Sequence, residues 1–168
     1  MDDIRLPIGL CEITYDGVKL SNLADKVVFE AIPKYQKLRA GKMVKRYLLE
    51  DYNVSLTMSI SNETYQTMKL ANPALKDHEH GLYDNPSGVQ RQGKQITIHP
   101  YHAGDSKEYD ITIFSAIPDP EQPYVRTYDK KQDKVNIRFI GQPSKSFEGE
   151  DLFKSFYFIG DYESVEVM

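Results

Sequence analysis

Residues 54–60 contain the pattern that most constrains the fold of this chain, because apolar and polar side chains alternate there without interruption. The apolar positions are Val54, Leu56, Met58 and Ile60, and the polar ones are Ser55, Thr57 and Ser59. Successive side chains of a β-strand point to opposite faces, so this pattern predicts a strand with one face in the core and one polar face.

Shorter stretches of the same kind recur and predict a mainly β protein. We expect strands at 9–15, 18–20, 26–32, 44–49, 95–99, 109–116, 124–128, 135–140 and 152–159. Asp16-Gly17 predicts a tight turn between the first two, and the polar run 129–133 predicts a hairpin joining 124–128 to 135–140. Several strands also carry alternating polar residues, namely Gln95, Thr97, Asp110, Thr112, Asn136 and Arg138. This favours a β-sandwich or barrel with at least one sheet facing water.

One segment has helical character. Asn62 is a suitable cap for a short helix from Glu63 to Ala71, which Pro73 would end. Tyr65, Met68 and Leu70 are the candidates for packing this helix on a sheet. Residues 72–93 carry Asn-Pro pairs and glycines and are predicted to be a loop. Because no linker or repeat divides the chain, residues 1–168 are predicted to form a single domain.

A basic hairpin arm at residues 33–47 stands out from an otherwise acidic chain of formal net charge -4. Between Lys34 and Arg46 there is no acidic residue, and the cations are Lys34, Lys37, Arg39, Lys42, Lys45 and Arg46. Such a segment is either a solvated loop or a docking element for nucleic acid or for an acidic surface. An acidic C-terminal tail at about 160–168, with Asp161, Glu163 and Glu166, offers such a surface, either within the same subunit or on another copy. Pairing of two different patches between copies repeats into rings or filaments.

The sequence holds little that points to catalysis. It contains no nucleophile elbow, Gly-rich phosphate loop, Walker motif or zinc-ribbon pattern, and its acidic residues form no recognisable acid/base pair. Two histidine pairs, His78/His80 and His99/His102, lie beside turns without helical spacing, so we expect solvated histidines and no metal. Cys11 lies in an apolar run and is predicted to be a buried, inert thiol. No signal peptide or membrane span is evident, so we expect a soluble protein of intracellular origin that needs no cofactor.

The order of these elements resembles that of a known family. Tyr15-Asp16-Gly17-Val18-Lys19-Leu20 closes a short strand and is followed by Val27-Val28-Phe29-Glu30, the arm, the strand 54–60 and the helix after Asn62. This order is similar to that of the major tail tube proteins of tailed bacteriophages. The architecture is also similar to that of the tube proteins of contractile injection systems and type VI secretion systems.

The resemblance implies a β-sandwich with one flanking helix, assembled into hexameric rings whose inner sheets join into one barrel. Rings would stack through the arm, including Tyr35, and through the termini. The tube would carry the genome from the virion tail into the host, and the subunit would be made in the host cytoplasm. Other expected partners are tail proteins such as the tape measure, the baseplate or tip and the terminator. DNA would pass through without specific binding, and nothing would insert into a membrane.

Candidate lumen-facing residues are Ser55, Thr57, Ser59 and Asn136. The resemblance implies an acidic lumen, but Lys134 and Arg138 share the polar face of Asn136. Either the lumen is not uniformly acidic or that strand belongs to the outer sheet.

Other functions stay open. The chain could be the tube subunit of a phage-derived contractile injection system. It could also be a monomeric β-barrel that binds nucleic acid or a ligand, with the arm gripping phosphates. Against nucleic acid, Tyr35 and Tyr47 are not regularly interleaved with the cations of the arm, as stacking platforms usually require. An enzyme would rest on the histidines alone.

Overall fold

The computed structural model describes residues 9–21, 23, 26–61, 63–88, 92–131, 133–145 and 154–165. It contains ten strands and one α-helix in this part of the chain. The strands are β1 (Cys11–Tyr15), β2 (Val18–Leu20), β3 (Val28–Ala40), β4 (Met43–Ile60), β5 (Leu75–His78), β6 (Gly81–Asp84), β7 (Lys94–Pro100), β8 (Ile111–Pro118), β9 (Val135–Gly141) and β10 (Tyr157–Ile159). The helix α1 (Tyr65–Ala71) follows β4. The protein is therefore mainly β, as predicted.

The strands form two layers that share β8. The main sheet has the order β2-β1-β7-β8-β9-β4-β3, and β10 also pairs with β8. Residues 111–113 of β8 pair with both β7 and β10, whereas residues 116–118 pair with β9. One layer, sheet 1, thus contains β2, β1, β7, β8 and β10, and the other, sheet 2, contains the end of β8 with β9, β4 and β3. All these pairings are antiparallel.

The core lies between these layers. Val54, Leu56, Met58 and Ile60 are at most 1% exposed, which confirms the predicted inward face of β4. Aromatic rings pack across the interior: Tyr15 contacts Phe139 with centroids 4.8 Å apart, and Phe29 contacts Tyr157 at 4.9 Å. Both contacts join a strand of sheet 1 to a strand of sheet 2, so the fold is a sandwich.

The first hairpin follows the sequence closely. Residues 13–15 of β1 pair with β2, and the two-residue connection is Asp16-Gly17. Both connecting residues have positive φ, 50° for Asp16 and 75° for Gly17, as the tight turn of a two-residue hairpin requires.

Helix α1 begins later than the sequence suggests. Its cap is Thr64, whose Oγ1 accepts a hydrogen bond from Thr67 N–H at 3.2 Å, while Thr67 Oγ1 accepts one from Thr64 N–H at 2.9 Å. This reciprocal pair satisfies two backbone donors. The predicted cap Asn62 lies outside the described residues. Ala71 is buried, but the predicted packing residue Tyr65 points to solvent.

Two predictions about the connecting segments are wrong. Part of the predicted loop 72–93 forms the separate hairpin β5–β6, which Lys69 of α1 contacts through Asp77 at 2.8 Å. Residues 124–128 form no strand, and β9, their predicted hairpin partner, pairs with β4 and β8 instead. Side chains hold this segment instead: Arg126 forms an ion pair with Glu63, and Thr127 N–H donates to Asp133 Oδ2 at 2.8 Å.

Candidate subunit-contact surface

The basic arm is a two-stranded ribbon that projects beyond the sandwich. Strands β3 and β4 pair from Val28–Thr57 to Ala40–Met43, and every residue of 33–51 is exposed. The pairing skips Glu50 and Lys45 on β4, which therefore form two bulges. Bulges increase the twist of a ribbon and interrupt its edge. Gly41, with φ of 59°, forms the turn at its end.

The bulges determine which side chains share a face of the arm. Phe29 and Ala31 of β3 face the core opposite Leu56 and Val54. Alternation along β3 then puts Tyr35, Lys37 and Arg39 on the continuation of this inner face. Their cross-strand partners are Leu49, Tyr47 and Val44. The outer face of the arm carries Lys34, Gln36 and Leu38 with their partners Asp51, Leu48 and Arg46.

Most of the arm cations have no anionic partner among the residues that the structure describes. Lys34 Nζ lies 3.2 Å from Glu50 Oε2, and Lys37 Nζ lies 5.9 Å from the ring centroid of Tyr47. Tyr47 also meets Tyr35 edge to face at 6.4 Å. Within the described part of the chain, no ion pair involves Arg39, Lys42, Lys45 or Arg46. The arm therefore presents uncompensated positive charge.

The arm also exposes apolar side chains. These are Ile32, Tyr35, Leu38, Met43, Val44, Tyr47, Leu48 and Leu49, with Met43 at 70% exposure. Apolar patches of this kind on a folded subunit mark interaction surfaces. Of these, only Tyr35 was predicted as a contact residue. The others have no role in the prediction from charge, and their exposure follows from the absence of a second layer over the ribbon.

The acidic tail contacts its own subunit. Tyr162 packs on Phe114 and Phe158 of sheet 1, with centroid separations of 5.1 and 5.8 Å. Glu163 forms an ion pair with Lys107, and a hydrogen bond from the Ser164 hydroxyl to Asp161 lowers the pKa of that carboxyl. Glu166 lies outside the described residues. Lys107 lies 56 positions from Glu163, and no local pattern links the two.

The candidate lumen residues lie together on the outer face of sheet 2. Ser59 Oγ donates to Asn136 Oδ1 at 2.7 Å, and Thr57 lies opposite Arg138. Ser55 is only 5% exposed, so the prediction that β4 is buried on one face alone is wrong at this position. Glu30 lies beside Ser55 on this face. One acid and one base, Glu30 and Arg138, therefore flank the hydroxyl row.

Gln122 covers part of an open strand edge, and no local pattern in the sequence indicates this role. Its Nε2 donates to the carbonyl oxygen of Asn136 at 2.6 Å, and its Oε1 accepts from Arg138 N–H at 2.6 Å. The side-chain amide thus bonds like a neighbouring strand. Unpaired strand edges otherwise recruit other chains. This part of β9 is consequently protected from such pairing.

The histidines do not assemble a metal centre in the described residues, where no group of three or more His, Cys, Asp or Glu side chains converges. His78 and His80 are exposed beside the β5–β6 turn. His99 corrects the expectation of solvated histidines: its Nδ1 lies 2.6 Å from Asp110 Oδ1 and its Nε2 2.8 Å from Gly104 O. Asp110 and Thr112, expected on a water-facing strand surface, are buried. Cys11 is half-buried, and burial raises the pKa of its thiol.

In the part of the chain that the structure describes, no helix has the length and apolar character needed to span a membrane.

Comparison with known proteins finds a similarity of fold alone. No family model and no curated protein matches the chain. A solved structure described as the sheath/tube terminator of an extracellular contractile injection system, PVC, in the extended state is 12% identical, with a TM-score of 0.52 over 94% of this chain and 98% of that chain. A second, the PVC sheath-tube complex in the extended state, is 13% identical, with a TM-score of 0.53 over 83% of this chain and 87% of that chain. The chain thus has a mainly β, tail-tube-like sandwich fold with one short helix and a long hairpin arm.

Proposed function

We propose that this protein is a non-enzymatic structural subunit of a tail-like tube that assembles with copies of itself into stacked hexameric rings. The observation that supports it most is the arm, which carries unpaired cations and uncovered apolar side chains on both faces. A ribbon of this composition gains stability only when another surface covers it, because apolar burial holds an interface together while charge sets its register. In an oligomer of identical subunits, that surface belongs to another copy.

In this proposal the arm residues Lys34, Tyr35, Lys37, Arg39, Lys42, Lys45 and Arg46 contact another subunit, and Asp161, Glu163 and Glu166 offer an acidic partner surface. Thr57, Ser59 and Asn136 line the lumen, whereas Ser55 is buried and does not. The tube is the conduit of a bacteriophage tail and delivers the genome into the host. It contacts the tape measure, the baseplate or tip and the terminator, and it resides in the virion tail.

A second candidate is a tube or terminator subunit of a phage-derived contractile injection system. Its support is that both solved structures quoted above are components of such a system.

Size-exclusion chromatography with negative-stain electron microscopy of the purified chain tests the proposal. We expect rings or tubes at high protein concentration. A monomer that stays monomeric but shifts its elution on adding nucleic acid would instead support the binding-module alternative, with the arm gripping phosphates.

A further inference from the structure

His99 lies at one end of sheet 1 between two hydrogen-bond acceptors. Its ring Nδ1 is 2.6 Å from Asp110 Oδ1, and its Nε2 is 2.8 Å from the carbonyl oxygen of Gly104. Neutral imidazole carries one N–H and protonated imidazole carries two, so only the protonated ring bonds to both acceptors. The neutral ring keeps the stronger bond, to the Asp110 carboxylate, and loses the bond to Gly104. The hold on Gly104 therefore depends on the protonation of His99.

Charged groups on the neighbouring elements determine where this proton is lost. Glu12 of β1 lies opposite His99 in the strand register and forms an ion pair with Lys19 of β2. Lys107, in the connection between β7 and β8, interacts electrostatically with Asp110. The hydrogen bond to Asp110 raises the pKa of His99 most, partial burial lowers it, and the carboxylate of Glu12 adds to the increase. The net direction of the pKa is upward, so the ring keeps its proton above the ordinary value of about 6.5.

The acidic tail is attached to the same connection that His99 holds. The Gly160 N–H donates to the carbonyl oxygen of Asp110 at 2.9 Å, and Glu163 forms an ion pair with Lys107. Lys107 and Asp110 both belong to the connection between β7 and β8, to which the His99 ring is bonded. Two attachments of the tail therefore depend on the position of this connection.

The tail is held weakly, so a small change in the connection is enough to release it. Residues 160–165 are exposed or half-buried, and none of them is buried. The Glu163 side chain is 78% exposed, so its ion pair with Lys107 contributes little to stability. Tyr162 supplies ring contacts with two aromatic residues of sheet 1. Segments with few buried contacts open locally at a small cost in free energy.

We propose that the protonation of His99 controls whether residues 160–165 of the acidic tail stay attached to sheet 1. The protonated ring fixes the connection between β7 and β8, and the tail is attached to that connection. The neutral ring releases Gly104 and no longer offsets the negative charge of Asp110, so the connection loosens and the tail detaches more often. Because the attached state binds the proton more tightly, a rise in pH favours detachment, which uncovers Tyr162 and the tail acids. This device operates within one subunit, whether or not tubes form.

Amide hydrogen exchange of the full chain, followed by mass spectrometry, tests this coupling. The measured quantity is the protection factor, the intrinsic exchange rate divided by the observed rate at the same pH. It is compared at about pH 5.5 and about pH 9, on either side of the raised histidine pKa. Residues 54–60 of the core serve as the internal reference. We expect the protection of residues 160–165 to fall several-fold between the two pH values, and that of residues 54–60 to change much less.

His99→Asn removes the titrating group and is the decisive variant. Its side chain is neutral at every pH, so we expect the tail to be as poorly protected at the acidic pH as it is in the natural chain at the alkaline pH. The pH dependence of the tail should then disappear. His80→Asn, at an exposed position of the β5–β6 hairpin, is the matched control and should keep the pH dependence of the natural chain.

Three outcomes would overturn the proposal. The first is a tail whose protection in the natural chain does not change with pH. The second is an equal loss of protection in residues 160–165 and 54–60, which would show general unfolding instead of detachment of the tail. The third is the same pH dependence of the tail in His99→Asn as in the natural chain. If His99→Asn does not fold, the comparison of the tail with residues 54–60 in the natural chain still decides.

Discussion

Asp110 holds His99 by a contact of 2.6 Å between its Oδ1 and the ring Nδ1. The other ring nitrogen, Nε2, lies 2.8 Å from the carbonyl oxygen of Gly104. Both partners are acceptors, so the ring satisfies them together only when both nitrogens carry protons. The hydrogen bond to Asp110 is the largest cause of the raised pKa of His99, and the bond to Gly104 adds to it. Protonated His99 of β7 therefore binds two points of the segment that connects β7 to β8 and stabilises that segment.

This arrangement predicts a loss of stability at alkaline pH. Because the folded-state pKa of His99 is raised, its contribution is complete below the unfolded value of about 6.5 and is lost as pH rises through the folded pKa. Thermal unfolding between about pH 5.5 and pH 9 should show the melting temperature falling across this range in the natural chain. His99→Asn should flatten that dependence. His80→Asn, at an exposed position, is the control and should leave the slope unchanged; a parallel slope in His99→Asn would contradict the prediction.

The strand register of β4 makes a second prediction. Leu56 is fully buried, so Leu56→Ala should lower the free energy of unfolding by about 2–5 kcal/mol, since it leaves a cavity. Thr57 lies on the opposite face, and Thr57→Ser should change the free energy of unfolding very little. Chemical denaturation of both variants measures this difference. Equal destabilisation would refute the assigned faces.

A third prediction concerns Gly141, where β9, β4 and β8 approach closely. A Cβ at this position would lie 3.1 Å from Val54 Cβ and 3.3 Å from Ile113 Cγ2. Gly141→Ala should therefore destabilise the fold by about 1–3 kcal/mol through overpacking. Val54→Ala removes one crowding group, Cγ1 at 3.2 Å, so the double variant should lose less than the sum of the single variants. Strict additivity in denaturation experiments would argue against a clash with Val54.

How well the sequence predicted the fold depends on how local each signal is. The inward face of 54–60 and the Asp16-Gly17 turn are set by neighbouring residues, and both predictions are confirmed. The predicted strand at 124–128 is wrong because distant groups, Glu63 among them, bind this segment. Thr64 rather than Asn62 caps the helix, and both residue types are suitable caps, so the sequence did not separate them.

The charge of the candidate contact surface could be predicted from the sequence, but the arrangement of its side chains could not. The cations between Lys34 and Arg46 were evident, but the bulges at Lys45 and Glu50 decide which of them share a face. At the root of the arm Tyr52 packs on Phe156, and these two residues are distant in sequence, so no local pattern indicates their contact. Lys107 and Glu163 are likewise distant in sequence, and only the structure shows that they form an ion pair.

The fourth prediction tests the arm charges. Lys37→Glu combined with Arg39→Glu should block assembly, because both cations lie on the inner face of the exposed ribbon, where charge contributes to encounter and register. The melting temperature of the subunit should change little, since exposed charges add little to folding. Lys130→Glu with Lys131→Glu makes the same change in net charge away from the arm and is the control. Negative-stain microscopy measures assembly; tubes in the arm variant as abundant as in the control would show that these cations are dispensable.

The last prediction asks whether the acidic tail is the electrostatic partner of the arm. Asp161→Lys, Glu163→Lys and Glu166→Lys together should restore part of the assembly lost in the Lys37→Glu, Arg39→Glu variant, because opposite charges would again face each other. Reversal of Glu163 also breaks its ion pair with Lys107, so the tail variant alone is needed as a control for folding. If the arm bound nucleic acid instead, the tail reversal would strengthen binding to DNA and there would be no assembly to restore. Failure of the rescue, with tubes present in the natural chain, would exclude the tail as the partner of the arm.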